Sequence, residues 1–183
     1  RSEYVGYMYT TNQQHGNTTN SPIKDVVDSW YSSNLASYAD KISKEAGFCG
    51  DREMASGSSW SSTPSSTIYY AGYGRLVQNS SSVNPTLKCS NSNDLYTTSS
   101  SSKGNKALSN PVGLITADEV AMAGGVYGQT NQSYYLYTGQ NYWTMSPYFF
   151  NASGGKSWAR VFSVYSGGDL NFNFVNNTWS VRP

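Results

Sequence analysis

Hydrophobic and polar positions change period several times along this 183-residue chain, and each change predicts an element. The opening "YVGYMYT" alternates aromatic and small residues, the pattern of a strand, and a polar loop follows it. In "NSPIKDVVDSWYSSNL" the spacing changes: Ile23, Val26, Val27 and Trp30 recur at i, i+3, i+4 and i+7, behind Ser21 as a cap and Pro22 at the first helical position. That predicts an amphipathic helix, with "ASYADKISKEAG" continuing it after a break and ending at Gly47. "STIYYAGYGRL" predicts a short strand. The rest of residues 50–110 reads as long loop, Ser-rich at 56–66 and 97–105 and punctuated by Pro64, Pro85 and Pro111. A loop of that length in a domain points to function or to a covalent anchor.

The second half is more sharply patterned. In "LITADEVAMAGG", Thr116 and Glu119 have capping-box spacing and Gly124-Gly125 ends the helix. "YYLYTGQNYWTMSP" predicts a strand, a glycine turn and a second strand ending at Pro147, and "WARVFSVYSGGDLNFNFV" predicts a hairpin about Gly167-Gly168. In "DLNFNFVNN" alternation sets Leu170, Phe172 and Phe174 on one face and Asn171 and Asn173 on the other. No period of 20–50 residues repeats, which excludes a solenoid.

Composition narrows the function classes. The length fits one domain with a single core. Charged residues make up 13% and the formal net charge is +1, so nucleic acid is not an expected partner. No apolar run reaches the roughly 18 residues of a membrane span, so no direct membrane insertion of this segment is expected. Aromatics reach 15%, with 16 Tyr, in a background of Ser, Asn, Thr and Gly. That vocabulary suits adaptable binding surfaces, and it is also common in secreted β-rich proteins. Cys49 and Cys89 stand 40 positions apart without a C-x-x-C or a histidine pair, which argues against zinc and leaves either one disulfide or two buried thiols. With "RSEYVGYMY" starting directly on a strand pattern, the chain reads as a processed or trimmed ectodomain.

Little catalytic chemistry is visible. The sole histidine, His15, lies in a Gly/Asn/Thr-rich loop and reads as solvated. Two carboxylate pairs have nominal glycosidase potential, Asp25 with Asp28 and Asp118 with Glu119, but the first falls on the polar face of its helix and the second is explained by capping. Asp40, Asp51, Asp94 and Asp169 are scattered among loops without a calcium-loop pattern, and no metal or cofactor is expected. "AGGVYGQ" lies at a helix end, the wrong end for an anion. Sequons occur at Asn17, Asn79, Asn131, Asn151 and Asn176.

The blocks "NPVGLITADEVAMAGG", "YYLYTGQNYWTMSP", "VFSVYSGGDL" and terminal "VRP" resemble a family of prepilin-type or uncharacterised surface proteins of gut Firmicutes. "FCGDREMASG", "PTLKCSNSNDLYTTS" and "YVGYMY…SPIKDVVDSWYSSNL" extend the resemblance over nearly the whole chain. The C-terminal part is similar to the C-type lectin-like domain in its formylglycine-generating-enzyme-like branch, the scaffold of variable proteins in diversity-generating retroelements. The resemblance implies an α+β, C-type lectin-like fold with two main helices, short antiparallel sheets and long loops, and a diversified binding region over residues 148–179. Carried over by position, the ligand-binding residues are Tyr148, Phe149, Phe150, Asn151, Trp158, Arg160, Asn171, Asn173, Phe174, Asn176, Asn177 and Trp179, with Trp143, Met145, Val161 and Val181 as scaffold beneath.

Three departures limit the transfer. The closely spaced C-terminal cysteines of the formylglycine-generating enzymes are missing, so their oxidase activity is not implied. Relatives continue past "VRP" with a further apolar strand, and the hydrophobic prepilin helix does not occur in this segment. The expectation is an extracellular, non-enzymatic adhesin or pilus-associated receptor domain of the bacterial surface, binding a protein or glycan, with pilus or fibre subunits as further partners. Its rivals are a phage tail receptor-binding module, a structural pilin, and a carbohydrate-active enzyme or calcium-dependent lectin.

Overall fold

The computed structural model of the protein describes residues 21–56, 67–78, 82–151 and 159–183. The expected first strand, His15, Trp158 and most of the first Ser-rich loop lie outside these residues. The described elements form an α+β fold built on a sheet with helices on both faces.

Helix α1, Pro22–Asn34, starts where proline is tolerated, at its first turn, but Ser21 makes no side-chain cap. Its buried face is Ile23, Val27 and Tyr31, whereas Val26 and Trp30 are more than a third exposed. The helix is therefore rotated from the expected stripe: an i, i+4, i+8 row selects Tyr31 in place of Trp30. The continuation is a short 3-10 stretch, Ala36–Lys41, and Gly47 opens a strand instead of closing a helix.

Strand β1, Gly47–Cys49, pairs antiparallel with β3, Leu95–Thr97. The cysteines form a disulfide, Cys49–Cys89, with Cα atoms 5.5 Å apart. Closing a 40-residue loop contributes on the order of 4 kcal/mol in the chain-entropy account. The second Ser-rich loop is ordered by polar ties: Glu45 accepts from Ser101 and Ser102, and the buried Thr97 hydroxyl donates to the Lys103 carbonyl at 2.8 Å and accepts from the Lys106 N–H at 3.1 Å.

The main sheet has the order β2-β4-β5-β6, where β2 is Thr67–Tyr69, β4 Tyr142–Asn151, β5 Arg160–Val164 and β6 Leu170–Phe174; the short β7, Ser180–Val181, runs parallel to the start of β4. The hairpin β5–β6 turns where expected, with Gly168 at φ 83°, where any Cβ would collide with the Asn131 carbonyl. Two expectations fail in this half. The stretch 134–137 forms a turn and no strand, with Tyr134 and Leu136 dropping into the core. β4 does not stop at Pro147 but runs on to Asn151, because Pro147 sits at register irregularities where its missing N–H breaks no regular ladder.

Strand residues alternate between opposite cores, except beside the register irregularity of β4, where Tyr148 and Phe149 both enter the same one. Trp143, Phe150, Val161 and Val175 pack with Ile68 and α1 on one face. On the other, Tyr142, Tyr148, Phe149, Phe162, Val164 and Leu170 pack against α2, Ala71–Leu76, and α3, Ala117–Ala123. Helix α3 has the expected capping box between Thr116 and Glu119 and the expected stop at Gly124, φ 114°. The short strand expected in "STIYYAGYGRL" is β2, and the remainder of that stretch, not foreseen as helix, forms α2. Its Gly72 is what lets the helix approach the Phe162 ring, since a Cβ there would lie 3.2 Å from that ring.

Candidate functional site

The expected binding residues do not share one surface. Tyr148, Phe149 and Phe150 are only 6, 7 and 8% exposed. They lie on β4, between β2 and β5 and covered on both faces, so their rings belong to the core and cannot be the outward patch that was expected. Trp179 is half-buried on the α1 face, stacked 5.0 Å from Trp143 and edge-on to Tyr165 at 5.1 Å. Of the residues expected beneath the surface, Trp143 and Val161 are fully buried, and Met145 and Val181 pack against the same core. Asn151 ends β4 opposite Thr67, and its side chain lies outside the described set.

The amides of β6 have a structural use. Leu170 directs its N–H and carbonyl away from β5, to Val126 and Gly128, so alternate residues Phe172 and Phe174 also aim theirs at the outer edge. There the Phe172 N–H donates to Asn171 Oδ1 at 2.9 Å and the Phe174 N–H to Asn173 Oδ1 at 2.7 Å. Asn177 Nδ2 reinforces the second contact at 2.6 Å, and the Tyr165 hydroxyl reaches the Phe172 carbonyl at 2.9 Å. These side chains occupy backbone groups that an open edge strand would offer to another chain. Asn176 alone of this group is exposed.

On the α2/α3 face a half-buried aromatic assembly is left. Register sets Phe149, Arg160 and Phe174 side by side across β4, β5 and β6. The Arg160 guanidinium lies 4.6 Å from the Phe149 ring, 4.7 Å from Phe172 and 4.4 Å from Phe174. Tyr148 is the floor: it stacks on Phe172 at 4.3 Å and meets Tyr73 edge-on at 5.4 Å. Burial, with the Tyr127 hydroxyl beside it, pushes the Tyr148 phenol above its ordinary value. Around this floor stand Tyr69 and Tyr73, stacked at 4.1 Å, and Tyr127, stacked on Phe172 at 6.2 Å. A bridge between Tyr127 and Leu170 fixes the loop that carries Tyr127 to the edge of β6. Arg160, Phe172, Phe174, Tyr69, Tyr73 and Tyr127 are all partly exposed. Sequence reasoning placed Arg160 and Phe174 here and missed the three tyrosines and Phe172. The density of Tyr in "STIYYAGYGRL" was the available signal.

Comparison with family models, curated proteins and solved structures found no match to this chain.

A second polar concentration surrounds a cavity of about 150 Å³ beside the disulfide. Arg75 of α2 forms a bidentate pair with Asp118 at 2.9 and 2.8 Å and also donates to Asp51 at 2.7 Å; Asp118 accepts a further bond from the Thr86 N–H at 2.9 Å. Arg52 pairs with Asp94 behind it. With one guanidinium shared by two carboxylates, burial outweighs pairing at Asp51, and its pKa is raised to about 6. Asp118 is thus bound to Arg75 while Glu119 closes the capping box, and Asp28 is engaged by Lys24 and by the Asn110 amide at 3.0 Å. Among the described residues no cluster of three His, Cys, Asp or Glu side chains is arranged to hold a metal ion, and no helix is long and apolar enough to cross a membrane.

Proposed function

We propose that the protein is an extracellular ligand-binding or adhesion domain of the C-type lectin-like class, displayed on a bacterial surface or pilus, whose contact face is the ring and guanidinium assembly on the α2/α3 side of the sheet. The observation that carries this is the set of six partly exposed residues, Tyr69, Tyr73, Tyr127, Arg160, Phe172 and Phe174, seated on a rigid aromatic floor. Aromatic and arginine side chains held in place by packing supply contact area at small entropic cost. The disulfide is compatible with an oxidising location. The reading is of binding without catalysis: of the four carboxylates that invited an enzymatic reading, Asp28, Asp118 and Glu119 are engaged in ion pairs, an amide contact or a cap, and Asp25 stands exposed on α1. Diversification over residues 148–179 belongs to the same proposal, but it would reach this face only through Arg160, Phe172 and Phe174 among the described residues, because Tyr148, Phe149 and Phe150 are floor or core. Saturated contacts along the outer edge of β6 weigh against fibre growth by strand addition at that edge.

Binding of the purified protein to a panel of immobilised glycans and surface proteins tests the reading. Phe174→Ala combined with Tyr73→Ala removes capture of the ligand found, while Trp30→Ala on the exposed side of α1 preserves it. Equal loss in both variants sinks the assignment.

A further inference from the structure

Among the described residues, Arg160 differs from the other arginines in that its side chain makes no ion pair and its Nε–H has no acceptor. Arg52 pairs with Asp94, Arg75 with Asp51 and Asp118, and Arg182 donates to the Leu136 carbonyl. Among the described residues no carboxylate stands within ion-pair reach of Arg160, and its Nε–H is buried without a hydrogen-bond acceptor. Rings hold the group on several sides instead, at 4.4–4.7 Å. Such contacts are worth about 0.5–2 kcal/mol each, which offsets part of the desolvation of the cation but leaves the Nε–H without an acceptor. A planar guanidinium fixed in this way is prepared for a planar, bidentate acceptor.

We infer that Arg160 anchors a carboxylate of the ligand, and that the ligand is an acidic saccharide of the uronic-acid type. The inference rests on the binding face proposed above and names its ligand class. One isolated cation suits a single carboxylate per sugar better than the repeated phosphates of a nucleic acid, as does the near-neutral chain. The partners beside the guanidinium suit the rest of a pyranose. Phe172 and Tyr127 give flat apolar surface for the C–H face of the ring, and the rim tyrosines Tyr69, Tyr73 and Tyr127 carry hydroxyls for its oxygens. An acidic peptide would satisfy the anion equally and is the alternative that the test separates.

The probes are tetragalacturonate, its methyl ester, and tetraglutamate, each titrated into the whole chain and followed by calorimetry and by amide chemical shifts. The acid is expected to bind with shifts at Arg160, Phe172 and Phe174, at least about tenfold more tightly than the ester, and to weaken as salt is raised. Arg160→Lys retains the charge but loses the fork and is expected to cost about tenfold in affinity. Undetectable binding of tetragalacturonate at millimolar concentration overturns the inference, as does equal affinity for the ester, unchanged affinity in Arg160→Lys, or tighter binding of tetraglutamate. Binding of the ester or the peptide with shifts on the same six residues would leave the face standing as a binding surface; shifts confined to other parts of the chain would remove the face as well.

Discussion

Strands β4 and β6 are both rich in rings, and they use them in opposite ways. In β4 the run Tyr148, Phe149, Phe150 lies between two neighbouring strands and under helices, and each ring is at least nine-tenths buried. In β6 the rings of Phe172 and Phe174 have the sheet margin beside them and stay partly exposed, while the alternating asparagines fold back onto the strand's own N–H groups. Aromatic content therefore does not tell which rings reach the surface. Position in the strand order does, because an edge strand can leave a ring half in water while a central strand with both faces covered cannot.

The sharpest way to break this contrast is to shorten one ring on each strand. Phe150→Ala is expected to destabilise by about 3–5 kcal/mol, the cost of a cavity under a fully enclosed aromatic, whereas Phe174→Ala should cost only about 1–2 kcal/mol. Denaturant unfolding of the two variants reads the difference, and equal losses would erase the distinction. The polar region beside the disulfide gives the next largest effect. Because the folded-state pKa of Asp51 is raised, from its ordinary 3.8 to about 6, the native state binds a proton that the unfolded chain releases. Stability should rise as pH falls from about 7.5 to 4.5, by up to about 2 kcal/mol, and that contribution is lost as pH climbs through about 6. Asp51→Asn should flatten the thermal-stability profile over that window, and a variant keeping the native slope would refute the assignment. Smallest in stability is the edge of β6. Asn171→Ala with Asn173→Ala should cost about 1 kcal/mol or less per released N–H, yet promote self-association visible by light scattering. A variant as monomeric as the parent at high concentration would show that the amides do not guard the edge.

What could be read from the sequence followed the strength of local chemistry. Thr116, Glu119 and Gly124 define α3 through short-range hydrogen bonds and a left-handed residue, so the element is present where its spacing puts it. Gly167-Gly168 fixes the β5–β6 turn in the same way. Tertiary choices were not legible. Nothing local distinguishes Trp30 from Tyr31 as the residue that α1 buries, since both fit a helical stripe and the sheet selects between them. Ala71–Leu76 forms a helix despite two glycines because Leu76 and Gly72 fit the face beside Phe162, a contact more than eighty residues away. Pro147 looks like the end of a strand, but a bulge absorbs it, and β4 carries Tyr148, Phe149 and Phe150, which the resemblance set on the surface, into the core. At the site, Arg160 and Phe174 came with the resemblance of the C-terminal part, while Tyr69, Tyr73 and Tyr127 reach it only through pairing and packing across the fold.

The claim that matters most is that Arg160, with no ion-pair partner among the described residues, lies among rings on the face proposed to meet a ligand. The Nε–H proton resonance of Arg160 in the free protein tests it directly, through its position and its response to added tetragalacturonate. Ring currents from Phe149, Phe172 and Phe174 should displace the signal from that of a solvated arginine, burial should slow its exchange with water, and ligand should move it further. A signal at the solvated position, exchanging freely and indifferent to the sugar, would contradict the account.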